Sequence, residues 1–103
     1  MIRYEFHPDA EIDLGTIWDF IAEDNIDAAD RVMVEIEATI EALVPFPHQG
    51  HRRPDLTQRP LRFTNVRDYL IAYAPDKKPL WVVAVMHGKR SPRVMASILG
   101  GRE

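Results

Sequence analysis

The run Leu80-Trp81-Val82-Val83-Ala84-Val85-Met86, followed at once by His87-Gly88-Lys89-Arg90, decides the fold. It is uncharged, rich in β-branched residues and bounded by turn-forming residues, which predicts a strand at the centre of a sheet. Immediately upstream, Pro75-Asp76-Lys77-Lys78-Pro79 reads as a turn between strands. Before it, Tyr69-Leu70-Ile71-Ala72-Tyr73 reads as a second, buried strand. Leu61 to about Thr64 gives a third, with Asn65 at a bend. These three strands make an antiparallel meander. Downstream, Ser91-Pro92 opens a short helix carrying Val94, Met95, Ile98 and Leu99, closed by Gly100-Gly101.

Residues 45–60 separate the meander from the N-terminal half. They hold Pro45, Pro47, Pro54 and Pro60 with Gly50, so few backbone donors are placed for regular structure, and Arg52, Arg53 and Arg59 make the loop basic. Further upstream the period changes to helical. Ala29, Val32, Met33, Ile36, Ile40 and Leu43 fall on one stripe of a helix that ends near Val44, with Asp27 as its expected N-cap. Ala10, Leu14, Ile17, Trp18 and Ile21 form the stripe of an earlier helix begun at His7-Pro8-Asp9. Glu11, Asp13, Asp19 and Glu23 fall off that stripe and should be solvated, while Ile12 and Phe20 form a second apolar edge. The short break at Asp24-Asn25 predicts an antiparallel helical hairpin. Ile2, Tyr4 and Phe6 alternate with Arg3 and Glu5, which predicts an opening strand. The order is strand, helix, helix, basic loop, three strands, short helix. The fold class is α+β, a single domain over residues 1–103, with the hairpin packed on the sheet.

Composition narrows the function classes. No stretch approaches the length of a bilayer-spanning helix, and Met1 to Phe6 lacks the basic and apolar regions of a secretory signal. With no cysteine, disulfides, thiolate nucleophiles and cysteine-ligated zinc are excluded, and the expected compartment is the cytoplasm. His48 and His51 lie in the proline-rich loop without a carboxylate at ligand spacing, so no metal site and no cofactor are expected. The net charge of −3 hides a division: residues 1–44 hold 12 acidic and two basic side chains, whereas residues 45–103 hold 4 acidic and 11 basic ones. The basic half suits an acidic partner, or it neutralises the acidic helices within the fold.

Five segments in this order resemble the RelE/ParE superfamily of toxins from bacterial toxin–antitoxin pairs, and within it the ParE branch. They are "HPDAEIDLGTIWDFIAE", the helix from "DAADRV" to "LVPFP", the loop "HQGHRRPDL", the strand "DYLIAYAP" and the strand end "VVAVMHGKR". The resemblance implies a type II toxin that poisons DNA gyrase, stabilises plasmids and is held inactive by a ParD-like antitoxin in a tight complex. It implies no membrane partner and no sequence-specific DNA binding by this chain, since the antitoxin usually contacts the operator. RelE-like relatives instead cleave messenger RNA on the ribosome, and a degenerate member would be an assembly partner without toxicity.

Cleavage through the 2′-hydroxyl needs a base, an acid and cations around the phosphorus. The candidates for that chemistry are Arg62, His87 and Arg90, with His87 the one credible proton donor or acceptor among them. No tyrosine follows Tyr73 and no histidine follows His87, so the proton-transfer set is thin and no catalytic residue is favoured. For a protein that works by binding, the target-facing candidates are Arg52, Arg53, Arg59, Lys89, Arg90 and Arg93. Ile12 and Phe20 are the candidates for the antitoxin. A structural role competes in each case: His87 bonding nearby backbone, Arg62 and Arg90 pairing with hairpin carboxylates, Phe20 packing on the second helix.

Overall fold

The computed structural model describes residues 3–102. Its elements are β1 (Tyr4–Phe6), α1 (Pro8–Ala22), α2 (Ile26–Leu43), a single 3₁₀ turn (Pro47–Gln49), β2 (Arg62–Val66), β3 (Tyr69–Ala74), β4 (Leu80–His87) and α3 (Pro92–Gly100). Ile2, which belongs to the alternation expected for the first strand, lies outside the described residues. None of the helices among the described residues is long and apolar enough to cross a membrane.

The sheet order is β1-β4-β3-β2. The meander β2-β3-β4 is antiparallel as expected, and β1 joins it in parallel at the free edge of β4, with Tyr4 opposite Leu80 and Phe6 opposite Val82. The connection between those parallel strands runs through the α1–α2 hairpin, the proline-rich segment, β2 and β3. The bend expected at Asn65 is displaced. Asn65 pairs with Leu70 inside β2, and the chain reverses at Arg67-Asp68 between the paired residues Val66 and Tyr69. A two-residue hairpin loop needs a left-handed residue, and here Arg67 takes it, with φ of 51°.

Each helix start has a local cause. Pro8 opens α1, and His7 Nδ1 accepts from the Asp9 backbone N–H at 2.9 Å. Asn25, rather than Asp27, caps α2: its extended backbone lets Oδ1 accept from Ala28 N–H at 3.0 Å, and Asp27 sits within the first turn, where its charge faces the helix dipole. Ser91 caps α3 through Val94 N–H.

Two cores lie on opposite faces of the sheet. On one, Ala10, Ile17, Val32, Ile36, Ile40 and Leu43 of the hairpin meet Val66, Ile71, Tyr73, Val82 and Val85. On the other, Leu56 and Leu61 of the proline-rich segment and Met95 and Leu99 of α3 meet Phe63, Leu70, Ala72, Val83, Ala84 and Met86. Covering both faces explains why β4 is apolar throughout. Alternation along β4 fails once. Val83 and Ala84 face the same core, and the register steps from Ala72–Ala84 to Tyr73–Val82, so Val83 is the extra residue of a β-bulge.

The proline-rich segment is not a free loop. His51 and Phe63 exchange two backbone hydrogen bonds at 2.8 and 2.7 Å. The Tyr73 hydroxyl donates to Pro47 C=O at 2.7 Å and accepts from Gly50 N–H at 3.0 Å. Gly50 has to be glycine here, because a Cβ would stand 2.4 Å from the Tyr73 Oη.

The hairpin outgrows the sheet. At one end Val44 and Leu80 line a common recess, and at the other Glu35 pairs with Arg67 on the β2–β3 turn. The six residues of α2 before Val32, the first of the helix to join the sheet core, therefore run past the sheet, about 9 Å at the helical rise. Phe20 (71% exposed) and Ile26 lie on this overhang and remain open to solvent, as do Val34 further along α2 and Ile12 further back on α1.

Candidate functional site

Sequence reasoning singled out eight cationic or imidazole side chains, and the structure divides them. Arg53 forms a two-point ion pair with Asp55, at 2.9 and 2.8 Å, which holds it within its own loop. Arg59 donates to the carbonyls of Leu99 and Arg102 at the end of α3, where a cation offsets the helix dipole. Arg62 donates to Gly50 C=O at 2.9 Å and not to a hairpin carboxylate. Arg52 is exposed.

The remaining four cluster at the β4–α3 connection. His87 Nδ1 accepts from Lys89 N–H at 3.2 Å, its carbonyl accepts from Arg90 N–H, and its ring meets the Tyr69 ring edge-on with centroids 5.5 Å apart. Gly88 N–H donates to Asp68 C=O at 2.7 Å, which ties this connection to the β2–β3 turn. On that fixed turn Lys89 and Arg90 are exposed, as is Arg93 in the first turn of α3, and none of their side chains has an ion-pair or hydrogen-bond partner among the described residues.

The ribonuclease candidates are not brought together. Tyr73 pairs with Arg62 at one end of β3, and Tyr69 pairs with His87 at the other. Four residues of strand and two strand spacings separate Arg62 from His87, about 13 Å along the sheet and about 10 Å across it. Arg90 stays with His87. His48 Nε2 lies 3.0 Å from Asp76 Oδ1, away from the His51–Phe63 pairing. Among the described residues, no group of three or more histidines, cysteines and carboxylates is placed to hold a metal ion.

Two arrangements escaped the reading of the sequence. The first centres on Asp13, expected in solvent. Its carboxylate takes both Arg102 guanidinium nitrogens, at 2.6 and 2.9 Å, and accepts from Val85 N–H at 2.9 Å. Arg102 also donates to Val83 C=O at 3.1 Å. Together they close the edge of β4 where β1 stops short, at the bulge. The pairing holds the Arg102 guanidinium in its charged form, above the ordinary arginine range. Only the three-dimensional approach of residues 13 and 102 reveals this contact. The second is a cleft of about 750 Å³ between the end of α3 and the β3–β4 turn. Ala74, Pro79 and Trp81 give it an apolar floor, and Arg59, Lys77, Lys78 and Arg102 ring it against one carboxylate among the described residues, that of Glu5. Adjacent lysines in a turn beside a tryptophan-led strand were its visible signal, and the turn reading absorbed them.

No curated protein matches the chain. Residues 4–92 match the family model described as the ParE toxin of type II toxin–antitoxin systems, parDE. That match spans β1 to the start of α3, including both helices of the hairpin and every strand of the sheet, and so the chain belongs to the ParE toxin family of type II toxin–antitoxin systems.

Proposed function

We propose that this protein arrests growth by gripping a macromolecular target, DNA gyrase, and that a ParD-like antitoxin neutralises it by covering the outer face of the hairpin. The observation that carries a binding mode of action is the division of the cations. Arg62 is committed to a backbone carbonyl far from His87, whereas Lys89 and Arg90, on a turn held by His87 and Asp68, and Arg93, in the first turn of α3, have no side-chain partner among the described residues. A proton-transfer pair at a scissile phosphate would have to meet within hydrogen-bond reach. Three outward cations within five residues instead suit an acidic surface, whose approach they accelerate and orient. The antitoxin side rests on Ile12 and Phe20, exposed and apolar on α1, which give a partner helix an anchor in a groove. The site of action is the cytoplasm.

The test uses the triple substitution Lys89→Glu, Arg90→Glu, Arg93→Glu. Expression of the wild type should stop growth, inhibit supercoiling by purified gyrase and leave translated messenger RNA intact. The triple variant should lose supercoiling inhibition at least tenfold while still binding the antitoxin. Site-specific cuts in ribosome-bound transcripts, with supercoiling unaffected, would refute the gyrase reading.

A further inference from the structure

The overhanging hairpin tip and the cleft at the opposite end of the molecule are complementary in polarity and charge. At the tip, Phe20 and Ile26 are 71% and 59% exposed. Around them Asp19, Glu23, Asp24 and Asp27 are exposed, and none forms an ion pair among the described residues. No basic residue occurs between Arg3 and Arg31, so the tip's charge is uncompensated in sequence as well as in space. At the cleft the order is reversed. Lys77 and Lys78 are exposed, and their side chains have no partner among the described residues. Arg59 spends its hydrogen bonds on carbonyls and keeps its charge, while Trp81, Pro79 and Ala74 offer an apolar floor. A volume of about 750 Å³ is of the size that encloses a bulky side chain with its flanking backbone.

We propose that the tip of one molecule seats in the cleft of a second copy, Phe20 entering above Trp81 and Pro79 while Asp19, Glu23 and Asp24 meet Lys77 and Lys78. Tip and cleft lie at opposite ends, so one molecule cannot satisfy its own cleft. The contact is heterologous: each copy presents one unused tip and one unused cleft, and association proceeds to short open chains. Its ion pairs are exposed to solvent, so the contact is weak and salt-sensitive. A ligand that covers Phe20 ends the chain, because the tip is then occupied. The inference concerns the isolated protein and does not depend on the cellular target.

Sedimentation velocity of the purified chain tests it, from low micromolar to several hundred micromolar concentration in dilute and in concentrated salt. The weight-average sedimentation coefficient should rise with concentration in dilute salt and fall back when salt is added. Two variants remove the halves separately, Phe20→Asp at the tip and Lys77→Glu with Lys78→Glu at the cleft. All three positions are exposed, and circular dichroism verifies that each variant is folded. Each variant alone should associate at least tenfold more weakly than the wild type. Mixed in equal amounts, they should pair as one-to-one dimers and go no further, because one intact tip and one intact cleft remain. A wild type that stays monomeric throughout, a Phe20→Asp variant that associates like the wild type, or a mixture that does not pair would each overturn the proposal.

Discussion

The two faces of the sheet are closed by different means. On the hairpin face two regular helices bring Ile17, Val32, Ile36 and Ile40 to the strands, each at a position set by helical period. On the opposite face the cover is a proline-rich segment and a helix of nine residues, contributing Leu56, Leu61, Met95 and Leu99. The first cover comes from local periodicity. The second is stitched on by contacts distant in sequence: Tyr73 to Pro47 and Gly50, Arg59 to the end of α3, Arg102 to Asp13. A core built from long helices fails as a unit, whereas a cover held by a few ties can open locally while the rest stays folded.

That contrast is sharpest in truncations. Ile36→Ala, at a fully buried site, should cost about 2–5 kcal/mol and raise amide exchange throughout the sheet. Leu99→Ala removes a comparable side chain from the other core and should raise exchange mainly in α3. Denaturant melts with hydrogen-exchange mapping separate the two. Equal loss of protection across the whole chain in both variants would erase the distinction.

A smaller effect is expected at the link between the faces. Tyr73→Phe keeps the ring and removes the hydroxyl that serves Gly50 N–H and Pro47 C=O, leaving a buried donor unsatisfied at about 1–3 kcal/mol. Its pH signature is distinct. Burial pushes the Tyr73 phenol above its ordinary value of 10.0, so the folded state favours the protonated hydroxyl. This contribution is complete below that ordinary value and is lost as pH rises through the folded one. The wild type should therefore lose stability in alkali more steeply than the phenylalanine variant, as read by melting temperature across that range.

The smallest effect belongs to the exposed pair between α2 and the β2–β3 turn. The Arg67 guanidinium bonds the Glu35 carboxylate and lowers its pKa from an ordinary 4.5. A depressed carboxylate stabilises the fold above its unfolded value and ceases to as pH falls through the folded one. Glu35→Gln should leave melting temperature near neutrality almost unchanged and flatten its decline in acid. An unchanged acid limb would show that solvent screening already cancels the pair.

Legibility followed the same divide as the construction of the two cores. The hairpin stripes, the capped start of α3 and the strands at Tyr69 and Leu80 were readable because each depends on neighbours within a turn or a strand. The cap of α2 fell to Asn25 and not Asp27, since two polar residues two positions apart can each serve as the cap and backbone direction chooses between them. The bend passed from Asn65 to Arg67-Asp68 because register with β3, not residue preference, sets where a hairpin turns. Of the site candidates, exposure of Ile12, Phe20, Lys89, Arg90 and Arg93 agreed with their sequence context. Arg53, Arg59 and Arg62 proved to be tied to groups that no spacing rule connects to them.

By itself the sequence determined the α+β class, the order of elements, the apolar stripes and the division of charge between the two halves, because these follow from period and composition along the chain. Only the tertiary structure decided that β1 lies parallel to β4, that Asp13 and Arg102 close its bulged edge, and that the lysine pair borders a tryptophan-floored cleft. Those features arise where residues far apart in the chain come within a few ångströms, and nothing local to either partner specifies the meeting.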